Sequence, residues 1–194
     1  MKPFEELLSG SVKDHGHLCP GQVVGVRMAM LGLKLIGLEE PETREQIKKL
    51  VVYVEMDRCA ADAVAYVTRT KLGRRSLKFM DYGIMAATFL NMETKAAFRI
   101  VSTEESRDLA DVYAPGIEDK VAQETEAYKR MPEDVLFKIQ QVEVYISEFD
   151  LPGRTRKKVA CATCGQVVRD NREVMIGGKS YCKPCAQGGY FKVI

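Results

Sequence analysis

Apolar residues crowd positions 23–36 on nearly every face. Val23, Val24, Val26, Met28, Met30, Leu31, Leu33, Leu35 and Ile36 are too dense for a one-sided stripe. That density predicts a buried helix. Pro20 suits its first turn, where a missing N–H costs nothing, and Gly37 suits its end. Gly21, Gly25 and Ala29 recur every four residues. They form a small-residue stripe open to close approach by another backbone, within the core or partly in a dimer interface. Residues 7–13 read as a first helix or an irregular lead-in.

The pattern then changes period. Residues 49–55 are rich in β-branched and aromatic side chains and predict a strand, and 60–67 predict a helix. Residues 77–80 and 83–90 read as a hairpin around Asp81-Tyr82-Gly83. Residues 96–101 give a further strand, 104–130 are mostly helical with a break at Pro115-Gly116, and Pro132-Glu133-Asp134 starts a short helical turn. Residues 138–147 alternate as a last strand through Ile139, Val142, Val144 and Ile146. Strands and helices interleave without a strict βαβ repeat, so the expected class is α+β, a mixed sheet with flanking helices. Pro152, Gly153 and four basic residues within 154–158 mark a linker. The expected organisation is a domain over 1–150, a basic linker over 151–158 and a small domain over 159–194.

At 194 residues, 46% hydrophobic and 29% charged, the chain fits a soluble globular protein rather than a disordered one. No N-terminal segment has the pattern of a signal peptide. The most apolar window is short and contains Arg27 and Lys34, so no membrane span is expected and the cytoplasm is the expected location. Six cysteines in a reducing compartment point to metal or thiol chemistry rather than disulfides. From residue 154 onward there are nine Lys+Arg against two Asp+Glu. The rest of the chain has an acidic excess, so the basic tail suits self-docking or an acidic partner, nucleic acid included.

Cys161-x-x-Cys164 and Cys182-x-x-Cys185, seventeen residues apart, match tetrahedral Zn²⁺ held by four thiolates. A redox-active pair or an iron site is the alternative. Gly165 suits the turn after Cys164. Residues 167–168 and 173–176 read as two strands joined at Asp170-Asn171, with a second turn at Gly177-Gly178. A tail this short needs the metal for stability.

The only two histidines lie in Asp14-His15-Gly16-His17-Leu18-Cys19-Pro20-Gly21. Residues two apart in an extended segment point the same way, so His15, His17 and Cys19 can face one spot. Cys19 and Cys59 each precede a predicted helix, whose free N–H groups favour thiolate. His17, Cys19 and Cys59 could hold a metal with a fourth position open, His15 serving as a further ligand or outer partner and Asp14 orienting an imidazole. The plainer reading makes both cysteines inert core residues. Lys71, Arg74, Arg75 and Lys78 around Gly73 form either an anion site or a solvated basic loop.

Residues 15–21, 55–63 and 73–83 (His15-Gly16-His17-Leu18-Cys19-Pro20-Gly21, then Glu55 to Ala63 around Cys59, then Gly73 to Gly83) resemble the three signatures of the E subunit of formylmethanofuran dehydrogenase. The resemblance covers residues 1 to about 150, and longer members of that family have a similar C-terminal zinc module. It implies a thioredoxin-like mixed sheet, a homodimer, and a metal site in a groove formed by His17, Cys19 and Cys59 with His15 beside them. Thr70 departs from the pattern, since many relatives have a cysteine in the corresponding segment. The parent enzyme reduces CO₂ onto methanofuran at a molybdenum or tungsten pterin centre in methanogenesis. No segment here suits that centre or a ferredoxin-like cluster.

The resemblance therefore implies a metal-binding accessory subunit, working beside other subunits of an oxidoreductase complex in anaerobic one-carbon or redox metabolism. A nucleic-acid-binding or regulatory zinc ribbon is the first competing reading. A stand-alone metal- or thiol-dependent enzyme is the second, and whether the chain is an enzyme at all stays open.

Overall fold

The computed structural model describes residues 1–38, 41 and 43–194. It contains two compact units, residues 1–144 and 145–194.

The first unit is built on strand β1 (Leu50–Val54), a run of apolar and β-branched residues with Leu50, Val51 and Val52 fully buried. Helix α4 (Cys59–Thr68) follows and leads to β2 (Leu77–Phe79), which pairs parallel with β1. Strands β3 (Ala86–Asn91), β4 (Ala97–Ser102) and β5 (Phe137–Gln141) then add antiparallel, giving the order β2-β1-β3-β4-β5. The first four strands have the order and directions of a thioredoxin-like sheet, with β5 added at the edge. The α+β class read from the sequence is the one observed.

The predicted hairpin between residues 77–80 and 83–90 does not form. The chain between them wraps the end of β1, with Met80 N–H donating to Val54 O and Ile84 N–H to Glu55 O, so β2 and β3 pair with opposite edges of β1. Strand propensity marks both segments but cannot show that a third strand comes between them. The last strand is also shorter than its alternation suggested, ending at Gln141.

Helix α1 (Phe4–His15) is a full helix, and α2 (Pro20–Leu35) ends with Gly37 at φ 69°. Gly37 N–H donates to Lys34 O and Leu38 N–H to Leu33 O, which closes the helix with a left-handed cap. Short α3 (Arg44–Lys49), which the periodicity did not indicate, leads into β1. The region expected to be one interrupted helix is α5 (Glu104–Asp108), α6 (Ala110–Tyr113) and α7 (Lys120–Arg130), followed by a single turn, α8 (Glu133–Leu136). Arg27 sits in the apolar run because its guanidinium donates to Tyr128 O and Met131 O, both 2.6 Å away, at the end of α7.

One sheet face, through Val52, Val54, Ala87, Phe89 and Ile100, joins a core with α1, α2 and α4. On the other face Arg99 forms two 2.7 Å hydrogen bonds to the buried Glu55 carboxylate, which hold its guanidinium pKa above its usual value.

Helix α2 is buried within its own chain, with Val23, Val26, Met28 and Ala29 fully covered. Its apolar density therefore needs no second copy to explain it. The small-residue stripe serves α4: a Cβ on Gly25 would lie 2.6 Å from Ala60 O and 2.7 Å from Ala63 Cβ. Gly25→Ala should gain about 1 kcal/mol of helix propensity. It should lose more, ~1–3 kcal/mol, by forcing α2 and α4 apart. A urea midpoint equal to or above wild type would show that the contact relaxes freely.

In the second unit β6 (Lys158–Ala160) pairs with β7 (Val167–Arg169), and β8 (Val174–Ile176) with β9 (Lys179–Tyr181); α9 (Lys183–Gln187) follows. The predicted pairing of 167–168 with 173–176 is thus replaced by two hairpins. Asp170 and Asn171, both at positive φ, turn the chain from the first hairpin into the second. Gly177-Gly178, also both at positive φ, form the two-residue loop of the second. Arg156 N–H and Lys157 N–H donate to Asp170 Oδ1, and Arg172 pairs with Asp150 at 2.6 Å. Residues expected to be a linker are therefore fastened to this unit.

Candidate metal centres

Among the described residues there are two candidate metal-binding clusters. In the second unit, ligand atoms of Cys161, Cys164, Cys182 and Cys185 all lie within 4.8 Å of one another. Cys161 and Cys164 sit at the tip of the β6–β7 hairpin, where Gly165 N–H donates to Cys161 O and Cys161 N–H to Gln166 O. Cys182 caps α9, and Cys185 lies one turn into it. Ala162 N–H donates to Ser180 O at 2.8 Å and joins the two halves. The Cys164 and Cys182 sulfurs are 3.8 Å apart. Two sulfurs bound to one tetrahedral zinc at ~2.3 Å each would also lie about 3.8 Å apart.

Electrostatics at this cluster are divided. Backbone N–H groups of Cys164 and Cys182 pull the Cys161 thiol down to about 6. Hydrogen bonding from Cys182 and Cys164, together with burial, pushes Cys185 up to about 12. Four sulfurs cannot all ionise so close together without a cation between them.

In the first unit, ligand atoms of His15, His17, Cys19 and Cys59 also lie within 4.8 Å of one another. His15 ends α1, and Gly16 at φ 103° turns the chain out of it. Cys19 is the extended residue before α2, and Cys59 opens α4. The two sulfurs meet because α2 and α4 pack closely where Gly21 lies: a Cβ there would be 3.0 Å from Cys59 Cβ and 3.7 Å from Cys19 Sγ. A buried relay fixes this junction. Ser11 Oγ donates to Gln22 Oε1, and Gln22 Nε2 donates to Cys59 O at 2.8 Å. Gln22 is fully buried. Nothing in the local sequence marks its role, since a lone glutamine in an apolar helix has no distinctive pattern.

His15 Nδ1 lies 2.9 Å from Asp62 Oδ2. Its other nitrogen, Nε2, is buried and has no hydrogen-bond partner among the described residues. When Nδ1–H donates to a carboxylate, Nε2 presents a lone pair, as metal-bound histidines do. This unpaired buried atom, beside two sulfurs and a second imidazole, is what a metal ion would satisfy. The orienting carboxylate is Asp62, not the sequence neighbour Asp14. Its position three residues after Cys59, one turn along the same helix, was the available signal.

The expectation that helix starts favour both thiolates fails for Cys59. Burial pushes its thiol up, and the hydrogen bond with Cys19 pushes it further. Desolvation outweighs the helix terminus there. Thr70 is buried, its hydroxyl 2.7 Å from that of Thr68.

These features define an α+β protein with a His/Cys donor cluster where three helix ends meet and a separate four-cysteine knuckle. A family model described as FmdE, molybdenum formylmethanofuran dehydrogenase operon, matches residues 14–145, and the chain belongs to that family. The crystal structure of an FmdE-like protein of the tungsten formylmethanofuran dehydrogenase type, from Syntrophus aciditrophicus, shares the fold. It matches with a TM-score of 0.61 over 97% of this chain and 95% of that one, at 18% identity. A probable S-adenosyl-L-methionine-binding protein of Archaeoglobus fulgidus is 27% identical over 207 residues, covering 97% of this chain and 54% of its own length. The chain thus spans about half of that relative. Among the described residues no helix is long and apolar enough to cross a membrane.

Proposed function

We propose that this chain is a metal-binding accessory protein of anaerobic one-carbon or redox metabolism, with no pterin centre of its own. Its body, residues 1–150, would hold one metal ion through His15, His17, Cys19 and Cys59. The tail, 159–194, would hold a structural zinc through Cys161, Cys164, Cys182 and Cys185. The observation behind the first site is the buried, partnerless Nε2 of His15, set among three further donors. A bound ion would keep both thiolates ionised and polarise a donor atom brought to it. His17 is the exposed member of the four. It is the donor whose departure would open a coordination position. Family resemblance supports a cytoplasmic homodimer working beside larger oxidoreductase subunits.

The nucleic-acid reading has less support. Lys157 is engaged by Glu173 and Asn171, and Arg172 by Asp150, so part of the tail's positive charge is neutralised within its own unit.

Metal content per chain on anaerobically purified protein tests the proposal. Wild type should carry two ions and Cys19→Ser one. A wild type with a single ion, retained in full by Cys19→Ser, would reject the site in the body.

A further inference from the structure

A groove of about 830 Å³ opens beside the His/Cys cluster, within the size range of small-molecule sites. Asp62, Ala65, Tyr66 and Arg69 line it, a spacing of three, four and seven residues that places all four on one face of α4 or at its cap. Lys71 and Arg74 complete a cationic rim. α4 thus has the cluster at its start, through Cys59 and the Asp62–His15 contact, and a cation at its end. We propose that this groove binds an elongated small molecule bearing a carboxylate or phosphate. Arg69, Lys71 and Arg74 hold the anionic group, and the rest of the molecule runs along Tyr66 and Asp62 toward the metal. The inference rests on the metal reading above and adds the ligand class to it.

Three observations support the assignment. First, among the described residues no carboxylate pairs with Arg69, Lys71 or Arg74, although the chain is rich in acidic groups. Arg69 instead lies 5.8 Å over the Tyr66 ring, which leaves the guanidinium edge available. Among the described residues the groove's acids are Asp14 and Asp62, and Asp62 is engaged by His15.

Second, the rim is held in place before any ligand arrives. Buried Ser76 accepts from Lys71 N–H and donates to Lys71 O, while Val52 N–H donates to Ser76 O and fastens the segment to β1. Arg69 and Arg75 adopt φ of 58° and 61°, so the loop between them is bounded by two tight left-handed turns. The backbone that presents these exposed cations is thus already ordered, and only their side chains lose freedom on binding.

Third, Arg69 follows Cys59 by ten positions, about 15 Å along the helix at 1.5 Å per residue. A ligand that meets both ends must be long, with its anion remote from the metal.

Backbone amide shifts of the full-length, anaerobically purified chain, titrated at constant ionic strength with inorganic phosphate and separately with succinate, test the inference. Saturable shifts confined to residues 62–77 are expected, and the tighter of the two probes identifies the anion class. The triple variant Arg69→Ala/Lys71→Ala/Arg74→Ala should bind about tenfold more weakly or worse while keeping its metal content, since one lost charged contact already accounts for that factor. Cys19→Ser, which lacks one of the cluster's two sulfurs, should keep the groove shifts. That result separates the anion site from the metal reading, which metal content alone decides. Shifts absent with both probes, scattered over the surface, undiminished in the triple variant or lost in Cys19→Ser would each overturn the proposal.

Discussion

Stripping zinc from the C-terminal unit should unfold residues 156–187 and leave the sheet of the first unit intact. The reason is the missing core. In this fifty-residue unit the buried apolar side chains are Cys161 and Cys182 themselves; Val167 is half exposed, and Val159, Val168 and Val174 are only partly buried. Strands of three residues cannot stand alone in water. A structural zinc supplies roughly 10–16 kcal/mol of apparent binding free energy, as much as the whole stability of an ordinary domain. Cys164→Ser should have the same result, since it removes a ligand and leaves three. The pH dependence follows from proton counting. The metal-loaded unit holds four ionised sulfurs, whereas the unfolded tail holds protonated thiols at neutral pH. The unfolded state therefore binds more protons, so stability rises with pH and is lost on acidification. Amide dispersion of 156–187 in the full-length protein, before and after exhaustive chelation, is the measurement. Dispersion that survives chelation would show that the hairpins fold without the ion.

How far the sequence could be read depends on how local each determinant is. The cysteine spacing at 161–185 names its own geometry, because two short turns suffice to bring four sulfurs together. The buried helix at Pro20–Leu35 was equally legible, since nine apolar residues in fourteen leave no polar face. Strand pairing was not. Residues 77–79 look the same whether they turn back on β3 or cross to the far edge of β1, and what decides is the path of α4. The zinc hairpins are ambiguous in sequence for a similar reason: Asp170-Asn171 is a turn signal, yet it connects two hairpins instead of closing one. At the His/Cys cluster, sequence could gather His15, His17 and Cys19 because they are adjacent. Bringing Cys59 to them depends on Gly21 and Gly25, whose missing side chains let α4 approach. The orienting acid at position 62 is forty-seven residues from its histidine; its spacing from Cys59 places it one turn along the cluster's helix but does not by itself pair it with His15.

The cluster's internal ranking gives the sharpest test of its chemistry. Sequence spacing put His17 ahead of His15 as a ligand, and the geometry favours the reverse. His15 is largely covered, its Nδ1 is held by Asp62, and its Nε2 has no other partner. His17 is exposed, and among the described residues no hydrogen bond of that kind orients its ring. An imidazole already fixed in the right tautomer and direction loses little freedom when it binds, whereas a free one must give up its rotamers. We expect His15→Ala to weaken zinc binding in the body of the chain by more than His17→Ala does. Asp62→Asn should weaken it too, at the lower end of the 10–100-fold range for outer carboxylates, about tenfold. The low end applies because the Asp62 side chain is 65% exposed and water screens its charge. Competition against a chromogenic zinc chelator, on full-length variants whose circular dichroism matches wild type, gives the three affinities on one scale. If His17→Ala proved the most damaging and Asp62→Asn silent, the Asp62–His15 contact would be an ordinary surface ion pair and His15 would leave the ligand set.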